Sequence, residues 1–352
     1  MKKRQIAYLV CTAAIVGAGL GAAPPVAGPV THVVFPGQSI QKAVDAASPG
    51  DTVLVTPGTY HESVKVTTPR LTLRGMGRST VIEPGTKKAA GSCAERGNGI
   101  CVVGAKNRYV EGVTVASLTV TGFTGTGVFS MGTDGLTVQN VTAVKNGVWG
   151  IAQERSVRGV FRGNTARDSG DAGLFLANTI TAEGGATDTR GTLIEGNRLD
   201  GNRIGVTIRR LRNLTVAGNR LTGNCAAVFV VGDENNPKAG DLTVRDNRIA
   251  QNNKFCPKTA RLPEIQGAGI VLTGAEDTLV TRNTITDNVG TSPMSGGIVL
   301  FKNFVGATDQ RNRISDNVLQ GNAPADLVDA DSGKSNTFQG NACRASKPAG
   351  LC

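Results

Sequence analysis

The feature that most constrains this chain is a phrase that keeps returning: GNRLDGNRIGVTI at Gly196–Ile208, then LTVAGNRLTGNCAAVFV, LTVRDNRIAQNN, VTRNTITDN and RISDNVLQGN. Each copy is a short apolar strand, an Asn, a second short apolar segment and a further Asn five residues on. Asn197 and Asn219 lie 22 residues apart, a period that suits one coil of a β-solenoid. Residues about two dozen positions apart are then vertical neighbours.

Composition agrees with thin coils. Only 4% of the 352 residues are aromatic, which is little for a bundle or sandwich but enough for coils that each bury a few Val, Ile and Leu. The 47 glycines show no three-residue period, so a collagen-like chain is excluded.

Lys2, Lys3 and Arg4 precede an apolar run from Ile6 to about Leu20, followed by small residues and Pro. This pattern predicts a secretory signal over 1–27, with cleavage after Ala23 or Ala27. A membrane anchor is the alternative reading. Cys11 lies inside the apolar run, too early for lipid attachment, and no later stretch is long and apolar enough to span a bilayer. Removing that segment lowers the formal charge from +11 by three, to +8. A basic exported protein suits polyanions such as acidic polysaccharide or cell-wall glycan, or is merely soluble. Nucleic acid fits poorly, because no recognition helix, zinc spacing or aromatic platform is present.

The mature chain keeps Cys93, Cys101, Cys225, Cys256, Cys343 and Cys352. An even count in an exported chain reads as disulfides. Neighbour pairing is expected: Cys93 with Cys101, Cys225 with Cys256, Cys343 with Cys352. The second pair has the best warrant, because both cysteines lie beside matching Asn residues of successive coils. Zinc is disfavoured, since neither Cys-x-x-Cys nor clustered His is present.

Ser39 can cap a helix that carries Ile40, Val44 and Ala47 on one face and ends at Pro49–Gly50. An open solenoid end exposes strand edges and core, so this helix (39–48) is expected to cover it. Short strands follow at Val53–Val55, Val64–Val66 and Leu71–Leu73.

The segment SIQKAVDAASPGDTVLVTPGTYHESVKV followed by repeated GNRLxGN resembles secreted right-handed parallel β-helix proteins of the pectate-lyase-like superfamily, over roughly Val33 to Asn341. The resemblance implies an all-β, right-handed parallel β-helix at 28–352, with coils over 52–341 and a disulfide-bearing tail at 342–352. Roughly nine to eleven coils are expected, in a monomer. The superfamily holds lyases, hydrolases, esterases, epimerases and adhesins. The implied function is recognition of an extracellular acidic polysaccharide, with lyase-like or hydrolase-like processing as an extension. The alternative is a non-enzymatic surface or matrix protein whose solenoid is a rigid interaction scaffold.

Aligned copies begin strands at Gly150, Gly173, Gly205, Ala227, Gly269 and Gly297. The first and third residues after each start are apolar except Gln153, so they should point inward. The second and fourth form one outer face, which carries Glu154, Phe175, Arg209, Phe229, Val231, Val271, Val299 and Phe301. Covering loops, an exposed groove where rings stack on sugars, and a protein contact are three open readings of its apolar character. The Asn column (Asn140, Asn164, Asn197, Asn219, Asn247, Asn283, Asn317, Asn341) is expected to be structural, since stacked amides both donate and accept. Three stretches interrupt the beat, at Ile180–Arg190, Asp233–Gly240 and Lys254–Gly267, and such insertions often wall a groove.

Site candidates follow. Arg209 presents a fixed fork for a sugar carboxylate. Glu154 lies two coils earlier on the same face, and Phe175, Phe229 and Phe301 supply rings. Asp168 and Asp171 approach a carboxylate pair of the kind glycosidases use, though turn-forming aspartates are the plainer reading. Catalytic candidates are therefore Asp168, Asp171 and Arg209. The resemblance brings in Ca²⁺ as the cation that lyases of this superfamily use, but no ligand motif supports it here and no cofactor is evident. His32 and His61, the only histidines, argue against a copper-handling member and against a histidine base.

Overall fold

A computed structural model describes residues 28–86, 90–105 and 107–352; the expected signal segment lies outside them. Three parallel sheets of 13, 10 and 11 strands run the length of the molecule, joined in register coil by coil. One coil shows the plan. Ile204–Arg209 lies in the third sheet, Leu211–Ala217 in the first and Arg220–Thr222 in the second, before Ala226–Val231 returns to the third. Val206, Ile208, Leu214, Val216 and Leu221 point inside and are buried. Strand alternation thus places one apolar column on each inner face. Gln153, the polar exception, is buried there too.

Each corner turns on a single residue in the left-handed region: Arg210 (φ 52°), Gly218 (φ 62°) and Gly223 (φ 66°) in this coil. Other coils use Asn, Asp or Arg at the same corners, including Asn140 (φ 53°). This corrects one expectation. The pairing of Gln139 with Arg162 puts Asn140 level with Gly163, so Val141 faces Asn164 and Asn140 is an exposed corner residue outside the ladder.

The remaining column is as expected. From Asn164 through Asn197, Asn219, Asn247, Asn283 and Asn317 to Asn341, each Nδ2 donates to the next Oδ1 at 2.9–3.0 Å. The other Nδ2 hydrogen goes to a carbonyl one coil back, as from Asn219 to Ile194 O at 3.0 Å. A second ladder stands at the next corner, where the sequence reading assigned no column: Asn202, Asn224, Asn252, Asn288 and Asn322, ending on Asp326 Oδ1. Both ladders are buried, apart from the half-buried Asn341 at the end of the first, and their amide groups are hydrogen-bonded.

The helix Ile40–Ala46 covers the first coil, with Ile40 and Val44 buried. Ser39 Oγ accepts from Lys42 N, and the Glu62 carboxylate accepts from Ile40 N (2.7 Å) and Gln41 N (3.1 Å). A strand, Thr31–Val34, precedes the helix and pairs with Thr52–Val55. All three neighbour disulfides form, with Cα–Cα distances of 5.4–6.0 Å.

Candidate functional site

The outer face of the third sheet is laid out in the register read from the sequence: Ala152–Phe175–Thr207–Phe229–Val271–Val299 in one column, Glu154–Ala177–Arg209–Val231–Thr273 in the next. Insertions flank both edges of this sheet and fold over much of it. Phe229, Val271 and Val299 are buried with Ile265, Met294 and the Cys225–Cys256 disulfide in a second apolar cluster. The phenylalanines therefore form no continuous exposed stripe, and the covering-loop reading holds over these coils.

An open groove of about 330 Å³ remains where the cover is incomplete. Its floor includes Thr207, Phe229, Val231 and Thr273, and its walls come from the insertions carrying Ile180, Asp233 and Arg261 and from the exposed Phe304 and Val305. At one end the Trp149 and Phe175 rings stack, with centroids 4.3 Å apart and planes at 15°. Trp149 Nε1 donates to Asp171 Oδ2 at 3.0 Å. Burial raises the Asp171 pKa above the ordinary carboxylate value, against the Trp149 hydrogen bond and the Arg203 and Arg261 charges, which act to lower it.

Arg209 is half-buried in the groove, and the only hydrogen bond of its guanidinium among the described residues goes to Ile180 O, at 3.3 Å. Desolvation lowers its pKa, as do the Arg210 and Arg261 charges, while Glu183 and Asp233 oppose this; a guanidinium nevertheless stays cationic. Thr207 Oγ1, on the floor, lacks a hydrogen-bond partner among the described residues.

Two further arginines build the walls. Arg210, only 2% exposed at its corner, donates to Glu183 (2.9 Å), Asp233 (3.2 Å) and the carbonyls of Thr179 and Ala182. It ties together the two insertions that follow the third sheet. Arg203 donates to Pro257 O at 2.9 Å and Pro263 O at 3.4 Å, holding the insertion that the Cys225–Cys256 disulfide anchors.

The groove therefore brings together Asp171, Phe175, Arg209 and Phe229. It leaves out three other candidates. Glu154 is buried and spent on the wall, accepting from Ile180 N at 3.1 Å. Asp168 is an exposed corner residue (φ 55°) outside the lining, so no Asp168–Asp171 pair converges. Phe301 also lies outside, its ring 5.5 Å from Phe304. Sequence reading missed Trp149 and Arg261; the lone Trp beside a strand start was the available signal for the first, and none marked the second.

Two family models match parts of the chain: "Right handed beta helix region" over residues 89–241 and "Periplasmic copper-binding protein (NosD)" over 178–347. Solved structures align over most of the length. The A-module of the Azotobacter vinelandii mannuronan C-5 epimerase AlgE4 is 18% identical, with 86% of this chain and 89% of that one covered, at a TM-score of 0.54. An alginate lyase from Paenibacillus sp. str. FPU-7 is 15% identical (91% and 96% covered, TM-score 0.55). A DFA-IIIase from Arthrobacter chlorophenolicus A6 is 13% identical (92% and 84% covered, TM-score 0.60).

The chain is a right-handed β-helix protein of the pectate-lyase-like fold.

No curated protein matches the β-helix. The copper-binding description does not carry over to its residues. The span 178–347 has no histidine, its cysteines are in disulfides and its single methionine, Met294, is buried. Among the described residues, no group of three or more His, Cys, Asp or Glu is arranged to hold a metal ion. No helix of the described residues is long and apolar enough to cross a membrane. Three disulfides and the periplasmic-family match place the β-helix outside the cytoplasm.

Proposed function

We propose that this β-helix is secreted and binds an extracellular acidic polysaccharide in the groove over the third sheet. The observation that carries the reading is the Arg209 guanidinium, half-buried with no carboxylate ion pair among the described residues, in the same groove as the Trp149–Phe175 stack. A uronate carboxylate would fill the guanidinium fork. The C–H face of the pyranose would lie on the electron-rich ring face. The epimerase and lyase of similar fold are named for mannuronan and alginate, which makes polyuronates the first class to try.

Processing is a second reading, favoured by Asp171. A carboxyl whose burial favours its protonated form, at the end of a sugar-sized groove, is suited to donate a proton to a glycosidic oxygen. Lyase-like and hydrolase-like turnover are separated by assaying unsaturated products and reducing ends in parallel.

Binding is tested by affinity electrophoresis in gels containing polyuronate or a neutral glucan. The wild type should be retarded by the polyuronate alone. Arg209→Ala should lower affinity about tenfold, the scale of one lost charge-assisted hydrogen-bonding group. Retardation by neither polymer would favour a protein-contact scaffold, with the exposed Phe304 and Val305 as its contact.

A further inference from the structure

The outer face of the second sheet carries charge that the fold does not use. Three neighbouring strands, Arg198–Asp200, Arg220–Thr222 and Arg248–Ala250, each run exposed, buried, half-buried. Their middle residues Leu199, Leu221 and Ile249 fill the core. Register stacks the exposed ones: Arg198 pairs with Arg220, and Arg220 with Arg248. Three arginines thus leave one column from rungs about 4.8 Å apart. None of them makes a side-chain hydrogen bond or ion pair among the described residues. Arginines elsewhere differ, since Arg162 pairs with Glu195, Arg282 with Asp246 and Arg311 with Asp277, each at 2.9 Å.

Carboxylates border the column without pairing to it. Asp200 shares the outer face of the first rung, Asp168 and Asp287 stand at corners, and Asp246 is held by Arg245 and Arg282. Like charges directly opposite one another destabilise a sheet, so the column is a local cost to the rod.

Exposed apolar groups adjoin these cations. The same column continues from Arg248 to Thr284 and Val318, and Val318 is 50% exposed. Lys254 Nζ donates to Gly201 O, at the corner that ends the Arg198 strand, and Phe255, next in the chain, is 59% exposed. The exposed Val289 donates its N–H to Asn253 Oδ1 at 2.6 Å, one residue before Lys254. Cations beside exposed apolar side chains are the composition of a surface that lies at a bilayer interface. A soluble polyanion would engage the arginines and leave Phe255, Val289 and Val318 in water.

We propose that the second sheet is a docking face for an anionic lipid surface, with Arg198, Arg220 and Arg248 on the headgroups and Phe255 dipping below them. A rod seated this way keeps the groove over the third sheet on another side. The inference stands apart from polyuronate binding, so Arg209→Ala should dock as the wild type does.

The test is co-sedimentation of the mature protein, residues 28–352, with vesicles of phosphatidylcholine, alone and mixed with phosphatidylglycerol. The wild type should sediment only with the mixed vesicles, at low ionic strength, and salt should release it. A cation at an anionic bilayer contributes about fivefold in partitioning. Arg198→Gln/Arg220→Gln/Arg248→Gln should therefore partition on the order of a hundredfold less. Arg74→Gln/Arg108→Gln/Arg155→Gln removes the same charge from exposed sites off the second sheet and should stay within about fivefold of the wild type. Phe255→Ser should weaken partitioning without altering its salt dependence. Melting of the ladder variant at or above the wild-type temperature would show that its loss is a surface effect and that the column is repulsive. Failure of the wild type to sediment with the mixed vesicles, or equal losses in the two triple variants, would overturn the proposal. Capture of the wild type by soluble polyphosphate without vesicle binding would also overturn it and reassign the ladder to a soluble polyanion.

Discussion

Two regions of this molecule bury polar groups in opposite ways. At the corners on either side of the second sheet, neutral amides stack on copies of themselves, and each asparagine hands its hydrogens to the next coil and to a carbonyl behind it. At the corner between the third and first sheets, a single buried cation, Arg210, gathers two insertions around it. The first arrangement repeats without limit and specifies only a spacing. The second follows no repeat and specifies a shape. Self-complementary polar columns build the rod, and a charge that needs unlike partners builds the groove on it.

Breaking the second arrangement should cost most. Arg210→Ala leaves Asp233, largely buried, without its guanidinium and frees the carbonyls of Thr179 and Ala182. Removing one partner of a buried pair costs about 3–5 kcal/mol. Urea unfolding should show that loss, and limited proteolysis should cut the released insertion near Gly184–Gly185 first. A variant with wild-type midpoint and digestion would mean that the walls stand without Arg210.

The same contrast explains what the sequence disclosed. A ladder residue announces itself, because its neighbours above and below are the same residue at a fixed interval; Asn197 and Asn219 could be paired on spacing alone. Strand alternation likewise gave the inner and outer columns, down to Gln153 as the odd member. Asn140 was misplaced because an asparagine also suits the left-handed corner one position earlier, and composition does not separate the two roles. The groove was only half legible. Arg209 and Phe175 sit on the repeat and inherit its register, whereas Trp149 and Arg261 come from segments outside the strands, and which parts of the phenylalanine column they cover depends on long-range closure. Glu154 looked like a surface charge because its partner, the Ile180 amide, belongs to an insertion whose path the period does not encode.

Within the ladder, position should decide the effect. Asn219→Ala strands the backbone and side-chain donors of Asn197, both of which end on Asn219 Oδ1 in the buried interior. Unsatisfied buried groups cost about 1–3 kcal/mol each, so a loss of about 2–4 kcal/mol is expected in urea. Asn341→Ala removes the half-buried last rung, where water can replace the amide, and should cost about 1 kcal/mol. Equal losses at the two sites would refute the account of the ladder as a chain of mutually satisfied interior groups.

Asp309 sharpens the comparison, since it is a buried polar group in the rod with an oxygen left over. Oδ1 accepts from Ala275 N at 2.8 Å, while Oδ2 lacks a partner among the described residues. Burial first, then the facing Asp331 and Asp329 carboxylates, push its pKa up to about 8, against the Ala275 and Gly274 amides. Unfolded, the same group titrates near 3.9. Between roughly pH 4 and pH 8 the folded state therefore holds a proton that the unfolded state has released, and the linkage makes stability fall as pH rises through that window. Asp309→Asn keeps the acceptor for Ala275 and cannot ionise. Relative to the wild type it should gain at most about 1.4 kcal/mol per pH unit from pH 4 upward, with the gain levelling off above pH 8. Unfolding midpoints of the two proteins measured across that range should diverge with pH; parallel profiles would show that the carboxyl is ionised in the fold and that Oδ2 has a partner in solution.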